Sequence, residues 1–102
     1  MTLTELRYVV AVADERHFGR AAEKSFVSQP SLSASIRKVE DELGVRIFER
    51  GKSGVIVTEV GAQVVAQARR ALEEAALMDT VAMQRGNPLA GVLPLAVIPT
   101  IA

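Results

Sequence analysis

The chain has 102 residues with 12 basic and 12 acidic side chains, one histidine and no cysteine, and 49% of its residues are hydrophobic. This composition suits one small globular domain, and it excludes a disulfide framework, thiol chemistry and a zinc site built from cysteine and histidine within this sequence. Because the sequence shows no signal peptide and no membrane-spanning run, we expect a cytoplasmic protein, and we expect neither a metal site nor a cofactor.

The first predicted element is a helix that begins at Thr2. Threonine is a favoured N-cap, and Glu5 completes the pattern of a capping box. In the connection that follows, we expect His17 to face solvent or a phosphate and the ring of Phe18 to fill the space between the first and second helices. The apolar side chains of the first helix recur at helical intervals, at Leu3, Leu6, Val9, Val10 and Ala13.

Two short helices around a turn follow between Arg20 and Glu40, which is the spacing of a helix-turn-helix. Ser28 is a favoured N-cap for the second of these helices, and Pro30 fits its first turn, where a missing N–H costs nothing. We expect the apolar positions of both helices to be buried, namely Ala21, Ala22, Phe26, Val27, Leu32, Ile36, Val39 and Leu43.

The first turn of the second helix carries short side chains that can read base edges. The side-chain amide of Gln29 can form two hydrogen bonds with adenine, whereas the hydroxyls of Ser31 and Ser33 can hydrogen-bond to more than one kind of base. Ala34 is small enough to allow a close approach to a major groove. The alternative is that these side chains form only a solvated helix end, and the DNA-binding pattern of the surrounding sequence argues against it.

A short β-hairpin is predicted after Gly44, because glycine is the expected helix terminator. Directly behind a helix-turn-helix such a hairpin forms a wing, and its basic tip, with Arg50 and Lys52, can lie along or in a minor groove. The alternative is an ordinary surface hairpin with solvated charges. The two strands and the tip between them are expected at residues 45–50, 55–57 and 51–54.

Thr58 and Glu59 mark the start of a long helix, which runs without proline to about residue 86. A helix of that length, roughly 40 Å, is too long to bury its apolar side on so small a domain. We therefore expect a homodimer formed through this helix, and the alternative is packing against its own domain alone. The expected interface residues are Val64, Val65, Ala68, Leu72, Ala75 and Met78.

The predicted fold class is mainly α, a winged helix-turn-helix with a small β-hairpin wing followed by a long dimerisation linker helix. Residues 1–58 are expected to form the DNA-binding domain and residues 59–86 the linker helix. Glycine and proline in residues 87–91 indicate a hinge. The apolar run at residues 92–102 is expected to be the first strand of a truncated effector-binding domain.

The zero net charge of the chain hides a local excess of positive charge. Between Arg16 and Lys38 there are five basic side chains and one acidic side chain, Glu23. Binding to DNA should therefore depend on a local basic face and weaken with salt.

The motifs HFGRAAEKSFVSQPSLS, IRKVEDELG, RIFER and TEVG, in that order, resemble the N-terminal domain of LysR-type bacterial transcriptional regulators over residues 1 to about 86. The resemblance implies a dimer, a tetramer in the full-length protein, a C-terminal effector domain, and double-stranded DNA and RNA polymerase as partners. Many members of the family have a basic residue where this chain has Ala34, so its base preference should differ. The DNA-binding residues that the resemblance and the sequence pattern together indicate are Arg20, Ser28, Gln29, Pro30, Ser31, Ser33, Arg37, Lys38, Arg50 and Lys52.

The sequence therefore predicts a sequence-specific DNA-binding transcriptional regulator rather than an enzyme. Within the family it is most similar to the peroxide-responsive activators of the OxyR-like subgroup, whose sensing cysteines lie in the effector domain. The alternative is a LysR-type regulator that responds to a small-molecule metabolite. Two other classes stay open, namely a helical interaction module that binds no nucleic acid and a fragment of an enzyme whose catalytic groups lie elsewhere.

Overall fold

The computed structural model describes residues 1–86, so the hinge and strand predicted at residues 87–102 lie outside the described residues. Within the described range the order of helices and strands confirms the predicted winged helix-turn-helix with a long final helix. Over these residues, no helix has the length and apolar character needed to cross a bilayer. The elements are α1 (Leu3–Glu15), α2 (Phe18–Lys24), α3 (Gln29–Leu43), β1 (Phe48–Gly51), β2 (Gly54–Val57) and α4 (Glu59–Gly86).

The helix boundaries follow from capping chemistry. The Thr2 hydroxyl accepts the Glu5 backbone N–H at 3.1 Å, and the Glu5 carboxylate accepts the Thr2 backbone N–H at 2.9 Å, so the predicted capping box is present. Ser28 caps α3 by accepting the Ser31 N–H at 3.2 Å. That helix ends at Gly44, whose φ of 71° is the left-handed conformation that glycine adopts without strain.

Residues Met1–Leu72 form one compact unit around a single hydrophobic core. Helices α1, α2 and α3 pack on one another, and the hairpin and the first turns of α4 complete the core. Burial of this apolar surface is the main force that holds the helix-turn-helix together. The buried side chains that form this core cluster are those of Val9, Val12, Ala21, Ala22, Leu32, Ile36, Val39, Ile47, Phe48, Val55 and Val65.

The hairpin is antiparallel, with Phe48 opposite Val57 and Gly51 opposite Gly54, so a two-residue loop forms its tip. Strand β1 begins later than predicted, at Phe48. The N–H of Ile47, just before the strand, and the N–H of Phe48 both donate to the Glu40 carboxylate on α3. Strand β2 is hydrogen-bonded to the end of α1, since the Val55 N–H donates to the Arg16 backbone carbonyl at 3.1 Å.

Three expectations about side-chain positions were wrong. Phe26 is 95% exposed, because its φ of 59° turns the side chain away from the core, and Val27 packs there instead. Leu43 is 39% exposed at the end of α3. Phe18 is the first residue of α2, and its ring meets the hairpin residue Phe48 rather than filling a gap between helices.

Candidate nucleic-acid interface

The N-terminal end of α3 presents its polar side chains to solvent. Gln29, Ser31 and Arg37 are exposed and Ser33 is half-buried, as expected of side chains that read base edges. The Ser28 hydroxyl accepts the hydrogen bond that caps the helix, and Pro30, although exposed, has no side-chain hydrogen-bond donor. These two residues therefore shape the helix end, and the side chains after them supply its hydrogen-bonding groups.

His17 has a structural task that the sequence did not reveal. Its Nδ1 accepts the Arg20 backbone N–H at 3.0 Å and so caps α2, which requires the ring proton on Nε2. A side chain at Gly19 would collide with this ring, because an added Cβ would lie 2.8 Å from its Cε1. The His17 cap of α2 therefore depends on glycine at position 19.

Two of the grooves beside α3 also border the hairpin, and in both the basic side chains outnumber the acidic ones, which are Glu40 and Glu49 in the first groove. The first, here called the helix groove, lies between α3 and the hairpin and includes Ser33, Arg37 and Arg46. The second, the tip groove, lies between the start of α2 and the hairpin tip and includes Gln29 and Lys52. A polyanionic backbone can occupy such a surface, since lysine and arginine neutralise its phosphates.

Arg50 lies between these two grooves, over the ring of Phe18. Its guanidinium lies over the Phe18 ring, 4.7 Å from the ring centroid. Phe18 in turn meets Phe48 edge to face, with centroids 6.3 Å apart and planes at 81°. Within residues 1–86 no carboxylate forms an ion pair with Arg50. Its charge therefore stays available to an anion outside the domain.

Two of the predicted DNA-binding residues have partners within the domain. The Lys38 ammonium donates to the Glu5 carboxylate at 2.9 Å. That hydrogen bond raises the pKa of Lys38 and lowers the pKa of Glu5. The Arg20 guanidinium lies 3.7 Å from the Glu15 carboxylate, and it also donates to the backbone carbonyl of Glu15 at 3.2 Å. The structure therefore does not bring Lys38 to the grooves, whereas Arg20 stays exposed beside the start of α2.

Glu40 links α3 to the hairpin, and sequence reasoning missed it. One carboxylate oxygen accepts the N–H groups of Ile47 at 2.8 Å and Phe48 at 3.2 Å, and it lies 3.7 Å from the Arg46 Nε. The available signal was its position four residues after Ile36, on the buried side of the helix, where an unpaired charge would be costly. Glu40 thus fixes where the hairpin begins relative to α3.

The residues expected to form a dimer interface have different environments. Val65 and Ala68 are only 7% and 3% exposed, because they pack inside their own domain, so they do not offer a surface to a second chain. Val64, Leu72 and Ala75 are half-buried, and Met78 is 70% exposed. Other large apolar side chains exposed on α4 are those of Val60, Leu77, Val81 and Met83.

Comparisons with known proteins agree with this architecture. Residues 3–62 match the family described as "Bacterial regulatory helix-turn-helix protein, lysR family". The chain is 46% identical over 101 residues to the DNA-binding transcriptional dual regulator OxyR of Escherichia coli K12, covering 99% of this chain and 33% of that protein. It is 46% identical, with the same coverage, to the hydrogen peroxide-inducible genes activator of Pectobacterium carotovorum.

Two solved structures are similar in fold as well as sequence. A full-length OxyR variant from Pseudomonas aeruginosa is 59% identical with a TM-score of 0.78, over 85% of this chain and 29% of that chain. The DNA-binding domain of BenM in complex with its catB site 1 DNA is 36% identical with a TM-score of 0.80, over 85% of this chain and 98% of that chain. The chain spans about a third of the length of the curated relatives it matches.

Proposed function

The chain belongs to the lysR family of bacterial regulatory helix-turn-helix proteins, and from this premise we propose that it is the sequence-specific DNA-binding part of a transcriptional regulator. Helix α3 enters the major groove of double-stranded DNA while the hairpin lies along the neighbouring backbone. One observation carries the proposal: the exposed, Ser28-capped end of α3 is flanked by two grooves in which basic side chains outnumber acidic ones. The similar BenM domain was solved in complex with DNA, which supports the same partner here.

We assign the contacts by chemistry and exposure. Gln29, Ser31 and Ser33 hydrogen-bond to base edges, because amides and hydroxyls can do so in the major groove. The remaining contacts hold the backbone phosphates and carry no sequence information themselves. They come from Arg20, Arg37, Arg50 and Lys52, whereas Ser28 and Pro30 position the helix end and Lys38 fastens α3 to Glu5.

We propose further that the chain forms a two-fold homodimer through α4. An exposed apolar side chain such as Met78 gains stability when a second helix covers it. Half-buried Leu72 and Ala75 extend the stripe at helical spacing, since they lie six and three residues before Met78, respectively. A two-fold dimer presents two copies of α3 to the two halves of a quasi-palindromic site.

For the whole protein we propose a peroxide-responsive activator. The support comes from relatives named as hydrogen peroxide-inducible genes activators, which are 46% identical over nearly the entire chain. The chain matches about a third of the length of these relatives, and in this proposal it supplies the DNA-binding step and not the response to peroxide.

The test is selection of bound duplexes from a random library, followed by titration of a recovered duplex at several salt concentrations. We expect a common sequence with two-fold symmetry and a logarithmic affinity that falls linearly with the logarithm of salt concentration. Recovery of no common sequence, with equal affinity for scrambled duplexes, would contradict sequence-specific binding. A folded chain that binds no duplex in dilute salt would contradict DNA binding altogether.

A further inference from the structure

The position of Arg50 can be traced through two aromatic rings to the core of the domain. Its guanidinium covers one face of the Phe18 ring, and the Phe18 ring stands edge-on to Phe48. Phe48 is 3% exposed and belongs to the core. An exposed arginine on a short strand next to the hairpin loop would ordinarily sample many rotamers, but the Arg50 guanidinium has the Phe18 ring beneath it.

Phe18 and Arg50 are the two residues that line both the helix groove and the tip groove. The stacked pair therefore forms the border between the surface beside Ser33 and Arg37 and the surface beside Gln29. A ligand that follows α3 from one groove to the other must pass the Arg50 guanidinium. The extended ligand of the proposed function, a nucleic-acid backbone, has that shape and the opposite charge.

A guanidinium that lies over an aromatic ring can still donate hydrogen bonds through its N–H groups. The guanidinium carbon of Arg50 lies over the Phe18 ring, and within residues 1–86 no carboxylate pairs with its N–H donors, so those donors can bind a phosphate. Holding the side chain in this orientation before binding removes part of the entropy cost of ordering it afterwards. The ring thus raises affinity through Arg50, without itself touching the ligand.

We propose that Phe18 is a positioning residue that holds Arg50 ready for a backbone phosphate of bound duplex DNA. This inference rests on the proposed function, because it requires a duplex in the two grooves. The competing explanation is that Phe18 only packs at the start of α2. The two explanations differ in whether the effect of Phe18 on binding depends on the presence of Arg50.

The experiment is a double-mutant cycle on the 102-residue chain, with a duplex of about 30 base pairs, or three helical turns, recovered by selection with the wild type. Phe18→Leu keeps an apolar side chain but removes the aromatic face, and Arg50→Ala removes the cation. We expect Phe18→Leu to weaken binding about two- to fivefold when Arg50 is present, the range set by an exposed cation–π pair. In the Arg50→Ala background the same substitution should leave affinity unchanged.

Lys52→Ala provides the matched control, because Lys52 is exposed on the same hairpin tip and lines the tip groove without stacking on Phe18. Its effect should add to that of Phe18→Leu without coupling. Phe18→Tyr keeps the aromatic face and should bind as the wild type does. Thermal unfolding of each variant fixes a titration temperature at which all of them are folded.

A second readout does not need the leucine variant. The ring current of Phe18 should shift the Arg50 side-chain N–H proton upfield in the free wild type, and the shift should persist when duplex is added. Equal weakening by Phe18→Leu in both Arg50 backgrounds, or loss of the upfield shift on binding, would overturn the positioning role alone. A folded wild type that binds no duplex would overturn the proposed function and this inference together.

Discussion

Replacing Glu40 with alanine should detach the start of the hairpin from α3. In the wild type one carboxylate oxygen accepts the backbone N–H groups of Ile47 and Phe48, at 2.8 and 3.2 Å. Those residues are 0% and 3% exposed, so water does not readily replace the lost acceptor. Two buried donors left unpaired cost about 1–3 kcal/mol each. Some water can enter the space vacated by the side chain, so we expect a net loss of about 2–4 kcal/mol.

That loss is a large share of the 5–15 kcal/mol that typically separates folded from unfolded domains. It should lower the Tm by about 10–30 °C, given about 4–8 °C per kcal/mol for a domain of this size. Urea unfolding monitored by circular dichroism measures the free energy, and amide hydrogen exchange identifies its origin. Exchange of the Ile47 and Phe48 amides should accelerate more than exchange of the buried amides of α1.

Two matched variants separate the hydrogen bonds from the charge. Glu40→Gln keeps an oxygen that can accept both N–H groups, and we expect it to lose about 1 kcal/mol or less. Asp41→Ala removes a neighbouring exposed carboxylate and should change stability by no more than about 0.5 kcal/mol. If Glu40→Ala unfolds like the Asp41 variant, with its hairpin amides still protected, Glu40 does not anchor the hairpin.

Three further predictions follow from other contacts. Phe26→Asn should raise the Tm by about 4–8 °C, because a fully exposed ring is exchanged for a residue that tolerates a positive φ; a lower Tm would contradict the assigned strain. Glu5→Gln should lower the Tm at neutral pH, because the ionised Glu5 carboxylate, whose pKa is lowered mainly by Lys38, stabilises the fold. The Tm difference between this variant and the wild type should disappear as the pH falls through that lowered pKa. A difference that is unchanged in acid would exclude the Lys38 pair as its cause. Met78→Asp should shift a dimer to a monomer in size-exclusion chromatography, while Thr80→Asp, an exposed polar position on the same helix, should not; identical elution would place the interface elsewhere.

Local chemistry made most of the fold predictable from sequence. The Thr2 capping box, the Ser28 cap and the Gly44 terminator depend on residues within a few positions of one another, so these three helix ends were predictable from the sequence. Apolar periodicity likewise identified core positions such as Leu32 and Val39.

Contacts between distant residues, and one backbone angle in a turn, accounted for several features that the sequence did not reveal. Lys38 looked like a free DNA-binding cation, but its partner Glu5 lies 33 positions away. The pairing of Arg50 with Phe18 likewise requires the hairpin to be packed on α2. Phe26 fitted the apolar pattern, yet a single backbone angle in the turn points it into solvent. Patterns along a chain record periodicity, and they do not record such tertiary pairings.

The central claim is that the exposed end of α3 reads bases while the hairpin holds the backbone. The most direct measurement compares the base preferences of wild type, Gln29→Ala and Arg50→Ala by selection from one random duplex library. We expect Gln29→Ala to relax preference at one base pair of each half-site, by about 1–3 kcal/mol, and Arg50→Ala to weaken all sequences alike. An unchanged preference for Gln29→Ala, together with an altered preference for Arg50→Ala, would contradict the account.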